Sequence, residues 1–567
     1  MKLDQLNPDT VALRPAHTVM RLARMGSFHQ SRLSFMRVLL RRLKAECWRF
    51  ERRAFKIDAK GIGHAVYTMH GPDRSYSLVA FAHDLPPEQR SDRVIATAWD
   101  ATFALFDGLP TKADIHRLSR NIPLQEAGRV TASELTVSRA NRSVRLFDHV
   151  VDCLSRGEQP HVAHVDAVGY LMRTTAVYGS GKLGAADRES ICDRPEFAAP
   201  FQAEMLTVFL IRGFVLDLVE HLAALRSPER AVPLDPELRR RFGIGNSTGL
   251  GMAPFLLNHP ILLNNWIEAR ETALARVRAL PTVSPVDAKA FRVMLRRGQR
   301  NVDDWHSEHA LQCDKIALLK ADLGRLTEHL ETGALEKVMP WDRLYRWSES
   351  ALSLEGQELL VALMMEPYGA LVDDLPARMS ADEAAGFAID GRMTVRQLRD
   401  ILAANYAWAL EIDWTLPESQ ARAWYVSAEK LEPRLGERRS EPIAAYEQPL
   451  APGRDATLLI SALASENPET RVADVLLRHP EHRHITRRVQ IAARHPYAEI
   501  RDNTIAADVL PIDLLRAKLS FFGACHFDPR SDRWVRINMF RNAPFPYEVA
   551  ETEFAGWTYP ALQEILE

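Results

Sequence analysis

The chain has 567 residues, with 72 Lys+Arg against 74 Asp+Glu, 46% hydrophobic and 26% charged residues. This length is roughly three or four domains' worth of chain, enough to bury most of its unfolded surface without disulfide staples. The composition excludes disordered, collagen-like and coiled-coil classes, and a formal net charge of -2 removes the basic excess of a dedicated nucleic-acid binder.

The opening residues, MKLDQLNPDTVALRPAHTVM, carry acids and prolines where an export signal would carry a continuous apolar run. Residues 31–56 place Phe35, Val38, Leu39, Leu43 and Phe50 at helical spacing and hold nine Lys/Arg against two Glu, which predicts a basic amphipathic helix. A solvated face paired with acidic neighbours is favoured there over a phosphate or membrane-surface contact. HAVYTMH and SYSLVAFAH flank GPDRS and predict a β-hairpin. From about residue 90, beginning with DRVIATAWDATFALFDG, the pattern turns helical.

Helices are predicted over 197–225, 254–279 and 287–333, and residues 341–434 are read as continuing helically, with Thr394 placed to N-cap a helix and Gln397 at the capping-box position. The most apolar stretch, 206–225, is interrupted by Arg212, Asp217, Glu220 and His221, so it reads as a core helix and not a membrane span. Residues 436–456 are rich in Pro, Arg, Glu and Ala without periodicity and read as a linker. Two later helices are expected to end near the RHP triplets at 478–480 and 494–496, because the residue before proline disfavours helix. Residues 518–545 predict a second hairpin around DPRSD. The expectation is a mainly α (α+β) protein, a multi-helix core with β-hairpins near the N- and C-terminal ends. It divides into an N-terminal helical region with a hairpin (1–150), a central helical domain with two glycine-rich loops (151–435) and a C-terminal α+β region (457–567).

Three stretches carry candidate chemistry. RTTAVYGSGKLGAADR, 173–188, sets Gly179, Gly181 and Gly184 around Ser180 and Lys182. Leu183 occupies the position where a P-loop needs a hydroxyl, so Walker-type hydrolysis is excluded. Glycines still let backbone N–H groups approach a ligand, and Arg173, Lys182 and Arg188 can neutralise an anion. RRRFGIGNSTGLGMAPF, 239–255, holds Gly243, Gly245, Gly249 and Gly251 around Asn246, Ser247 and Thr248. Its spacing is not the dinucleotide fingerprint, and a helix, not a strand, is predicted before it. It reads as a loop presenting N–H groups and hydroxyls to a carboxylate or phosphate at the start of the next helix, or as a glycine-hinged lid. NVDDWHSEHALQCDK, 301–315, puts His306 and His309 at i, i+3 beside Asp304 and Glu308. Glu158, His161, His164 and Asp166 form one further histidine group and His479, His482 and His484 another; exposed loops and caps account for both more simply than metal.

The favoured function is an enzyme acting on a small or medium carboxylate- or phosphate-bearing substrate held by the two glycine-rich loops. Arg173, Gly179, Gly181, Arg188, Asn246, Ser247, Thr248 and Gly249 are the candidate ligand-binding residues, and Tyr178, Lys182 and His306 the candidate catalytic ones, Tyr178 or His306 carrying the proton. The reaction class (lyase, hydrolase or transferase) is unassigned, and neither a cofactor nor a metal is assigned. A metalloenzyme built on helix-borne histidines and carboxylates, and a non-catalytic helical interaction protein using the basic segment at 31–56, are the alternatives. Five cysteines lie far apart with no C-x-x-C pair, which points to a reducing, cytoplasmic setting. Neither membrane nor nucleic acid is expected as a partner, and the long apolar helices are compatible with a homo-oligomer.

Overall fold

The structure is a computed structural model that describes residues 11–86, 98–121, 131–174, 190–249, 259–303, 305, 310–379, 387–416, 424–426, 433–435, 449–450, 452–501, 511–523, 526–529 and 534–549. The chain folds into two compact units, each drawn from separated stretches. A sheet unit comprises His29–Thr248, Leu295–Glu308 and Leu519–Glu567, and a helical unit comprises Met1–Phe28, Gly249–Met294 and His309–Lys518.

The sheet unit corrects the expected fold class. Its strands are not confined to hairpins near the two ends of the chain. They are β1 (Arg49–Ile57), β2 (Gly63–His70), β3 (Ser75–Ala82), β4 (Ala101–Asp107), β5 (Glu134–Arg142), β6 (Tyr170–Thr174) and β7 (Gly243–Gly249). With the late pair, Trp534–Met539 and His526–Pro529, they make one nine-stranded sheet in that order, β7 lying beside Trp534–Met539. Neighbours from β1 to β6 pair antiparallel, whereas β6 and β7 run parallel. Both predicted hairpins are present, but as parts of this sheet.

The missed strands have physical reasons. In β4, ATFALFD is buried at six successive positions, so it shows a continuous apolar run with no alternation. Such a run cannot be told from a buried helix by periodicity. Residues 31–56 split likewise: helix α1 (Phe35–Ala45) buries Phe35, Val38, Leu39 and Leu43, and the chain then enters β1, which carries Phe50. The second glycine-rich segment is strand β7 over Gly243–Gly249 instead of a loop.

Two glycines of that strand, Gly243 and Gly245, are required by packing. A Cβ on Gly243 would meet the Met539 carbonyl oxygen at 2.5 Å, and one on Gly245 would meet Tyr170 Cγ at 2.8 Å and Arg173 Cγ at 2.9 Å. Only glycine admits such close approach.

One face of the sheet is covered by α4 (Gln202–Arg226), whose Thr207 hydroxyl lies 2.7 Å from that of Thr136 on β5. The other face is covered at one end by α2 (Lys112–Asn121), through Ile115 and Leu118 against Val79, Ala104, Phe106 and Val137. α3 (Phe147–Ser155) precedes α4 in the chain. Within α4, the fully buried Arg212 donates to the carbonyls of Phe242 and Ala543 at 2.7 Å each and lies 3.9 Å over the Phe545 ring. These bonds are why a guanidinium is tolerated in an apolar helix. Among the described residues no helix is long and apolar enough to cross a membrane.

In the helical unit, Val395–Leu410 begins at the predicted capping box: Gln397 N–H donates to Thr394 Oγ1 at 3.3 Å, and Thr394 N–H to Gln397 Oε1 at 2.9 Å. It packs with Pro452–Leu463, Val472–Arg478 and Arg483–Arg494 around Leu402, Tyr406, Leu459 and Val489. The helices before the two RHP triplets end at Arg478 and Arg494, as expected. A small three-stranded sheet joins Trp424–Val426, Pro433–Leu435 and Pro449–Leu450. A buried ion network ties in the N-terminal segment: Arg14 donates to Glu271 at 2.7 Å and to Glu358 at 2.8 Å. Of the expected linker, residues 436–448 and 451 lie outside the described residues.

Candidate functional site

The pairing registers bring several strand ends to one end of the sheet. Gly63 opposes Ala82, Ala82 opposes Ala101, Ala101 opposes Ala140, and Ala140 opposes Thr174, while Arg173 lies beside Gly245 on the parallel strand β7. The finish of β3, the start of β4 and the finishes of β5 and β6 are therefore level. Parallel strands finish at the same end, so β6 and β7 lead from this end into residues 175–189 and 250–258. Tyr178, Gly179, Gly181, Lys182 and Arg188 fall in the first of these segments, outside the described residues, as does His306 further along the chain. Ser247, Thr248 and Gly249 lie on β7, with side chains outside the description.

Cross-strand partners share a face of a sheet, and so do residues two apart on a strand. Thr102 is paired with Arg139, and Asn141 with Arg173. Thr102, Arg139, Asn141 and Arg173 thus form a polar row across β4, β5 and β6, on the face that α2 covers at its other end. Gly245 continues the row as a gap over which the Arg173 side chain lies. Asn246, the next residue of β7, points to the opposite face. It is 1% exposed and its Oδ1 accepts no hydrogen bond from the described residues. The two candidate anion contacts on adjacent strands, Arg173 and Asn246, are close in the sheet but are turned apart by the pleat.

Side chains continue the ladder where β4 begins. Asp100 N–H donates to Asn141 Oδ1 at 3.0 Å, and the Asp100 carboxylate accepts from Arg142 N–H at 2.9 Å. Arg142, on the α4 face, brings its Nε to 3.7 Å from the same carboxylate and lies 4.5 Å over Phe147. Arg139 lies 4.1 Å over the Trp99 ring. His83, one residue beyond β3, joins the row: its N–H donates to the Asp100 carbonyl at 2.8 Å, and its Nε2 is 3.2 Å from Thr102 Oγ1. Burial lowers the His83 pKa from its ordinary 6.5, while Asp100 acts in the opposite direction. The ring is therefore neutral near pH 7 and able to take a proton.

Of the sequence candidates, Arg173 belongs to this row. His83, Trp99, Asp100, Thr102, Arg139, Asn141 and Arg142 were missed. One signal was present: in ELTVSRANR, Val137, Arg139 and Asn141 alternate, which would have placed the two polar residues on one face of a strand.

The other histidine groups serve local structure. His161 Nδ1 accepts from Ala163 N–H at 3.3 Å at the start of the short helix Val162–Asp166, and His479 lies 3.3 Å from Glu481. Among the described residues, no group of three His, Cys, Asp or Glu side chains is placed to hold a metal. In comparisons with family models, curated proteins and solved structures, none matches the chain.

Proposed function

We propose that the sheet unit binds a small anionic molecule, carboxylate- or phosphate-bearing, at the end of the sheet shared by β3 to β7, and acts on it by proton transfer. The observation that carries this reading is the row Arg139, Asn141 and Arg173, two guanidiniums and an amide on one face of two neighbouring strands. Arg173 is buried and Arg139 partly exposed; guanidiniums held in place recognise oxyanions through paired N–H donors and lose little entropy in doing so. We place this activity in the cytoplasm, on the support of four described cysteines that are all free thiols, Cys47, Cys153, Cys192 and Cys313.

The test is titration with inorganic sulfate, followed by calorimetry, on wild type and Arg173→Met. One charge-assisted contact is worth about 1.5–3 kcal/mol, so the variant is expected to bind sulfate at least about tenfold more weakly. Equal affinity in the two proteins, with folding intact by circular dichroism, would remove the reading.

A further inference from the structure

We propose that His83 is the group that exchanges a proton with an anion bound at this end of the sheet; this rests on the anion-binding reading above.

The geometry is that of a positioned base. The residue is fixed at both ends, its backbone N–H bonded to the Asp100 carbonyl and its Nε2 next to the Thr102 hydroxyl. Nε2 lies against the Thr102 hydroxyl, which can accept from Nε2–H or donate to Nε2; Nδ1 makes no hydrogen bond to the described residues. The hydroxyl therefore holds the ring in place in either tautomer, and the other nitrogen is left to exchange a proton with a ligand. Thr102 is the cross-strand partner of Arg139, so the imidazole stands beside a guanidinium of the proposed anion row. The ring is half-buried and so remains accessible from solvent.

The charged and titratable groups around it come from each neighbouring strand. They are Asp84 on its own segment, Asp100 at the start of β4, Arg139 on β5, His64 on β2 opposite Phe81, and Lys56 on β1 opposite His64. Asp100 favours the imidazolium. An oxyanion in front of Arg139 would favour it further, since an opposite charge within a few ångströms raises a histidine pKa by about one unit or more.

By linkage, the anion then binds about tenfold more tightly to the protonated ring for each unit of that rise. Sulfate is the probe, because its own charge is constant across the range where histidine titrates. In wild type, sulfate affinity is expected to fall by about tenfold as pH rises through the His83 midpoint, and the His83 Cε1–Hε1 resonance to titrate at higher pH with sulfate than without. His83→Gln keeps a hydrogen-bonding group toward Thr102 and is expected to bind sulfate with a flat pH profile.

Three results overturn the proposal. If sulfate binding needs Arg173 but His83→Gln keeps the wild-type pH dependence, His83 is not the group and the anion reading survives alone. If the His83 resonance ignores saturating sulfate, the ring does not face the anion, with the same consequence. If sulfate binds equally to wild type and Arg173→Met, or to neither, the anion reading and the His83 proposal fall together.

Discussion

Arginines are buried in both units, but they are held differently. In the helical unit, Arg14 is clamped between Glu271 and Glu358, Arg270 lies 2.8 Å from Glu271, and Arg278 donates to Asp342 at 2.7 Å. Burial by itself raises the Glu271 pKa, yet Arg14 and Arg270 outweigh it and hold the carboxyl down at about 2. Every charge in that clamp faces another charge, and water is excluded. At the end of the sheet, Arg139 and Arg173 stand on a strand face beside an amide, an indole and a half-buried imidazole, in a row that solvent reaches at His83. A buried arginine therefore says little about function on its own. Its setting, a closed cluster of carboxylates or a sheet end that solvent reaches at His83, is what distinguishes the two regions.

Substitution in each region separates the two roles. The largest effect belongs to the clamp: Glu271→Gln leaves Arg14 and Arg270 facing a neutral amide. Breaking one side of a buried pair costs about 3–5 kcal/mol, and the loss should appear in urea unfolding monitored by circular dichroism with sulfate affinity unchanged. A loss of less than about 1 kcal/mol would mean that water reaches this network, as it does a surface pair.

Next comes Gly245→Ala, whose new methyl would press on Tyr170 and Arg173. Overpacking of this kind costs about 1–3 kcal/mol; here it should also weaken sulfate binding, because the side chain that must move is the proposed anion contact. Stability lost without any change in affinity would assign Arg173 to the scaffold.

Smallest is Arg139→Gln, which removes the stack on Trp99, worth about 0.5–1 kcal/mol at a partly exposed site. Sulfate affinity should fall several-fold while the melting temperature barely moves. The opposite pattern would make Arg139 another clamp.

The main helices of the helical unit were legible in the sequence, but its three-stranded sheet was not: Trp424–Val426 and Pro433–Leu435 are strands where helix was expected, and Pro449–Leu450 is a strand in the expected linker. Thr394 and Gln397 announce a helix start through chemistry confined to four residues, and proline after His479 and His495 announces two ends. Both signals act over one turn of chain, so neighbours far in sequence cannot override them. Hairpins were legible for the same reason, since the turn Gly71–Arg74 closes on itself through Gly71 N–H and the Arg74 carbonyl at 2.8 Å. The sheet between them was not. β4 is buried on both faces and loses the alternation that marks a strand, and β7, apart from Ile244, consists of glycines and small polar residues that ordinarily signal a loop.

The site was legible only in part. Arg173 attracted notice through its nearness to a glycine-rich stretch, and the structure places it in a strand beside residues no local pattern connects to it. His83, just beyond β3, Thr102 on β4, and Arg139 and Asn141 on β5 are separated by up to 58 positions in the chain, and only strand pairing brings them into one row.

The sequence by itself determined the main helices of the helical unit, the capping box at Thr394 and Gln397, the two helix ends before proline and the two hairpins, because each depends on contacts within a turn or two of chain. Tertiary structure alone decided that the hairpins join one sheet, that Gly243 and Gly245 serve strand packing, and which polar residues share a face. Strand pairing is a long-range choice: a one-residue slip would turn every side chain to the opposite face, and no local pattern encodes which distant strand supplies the partner.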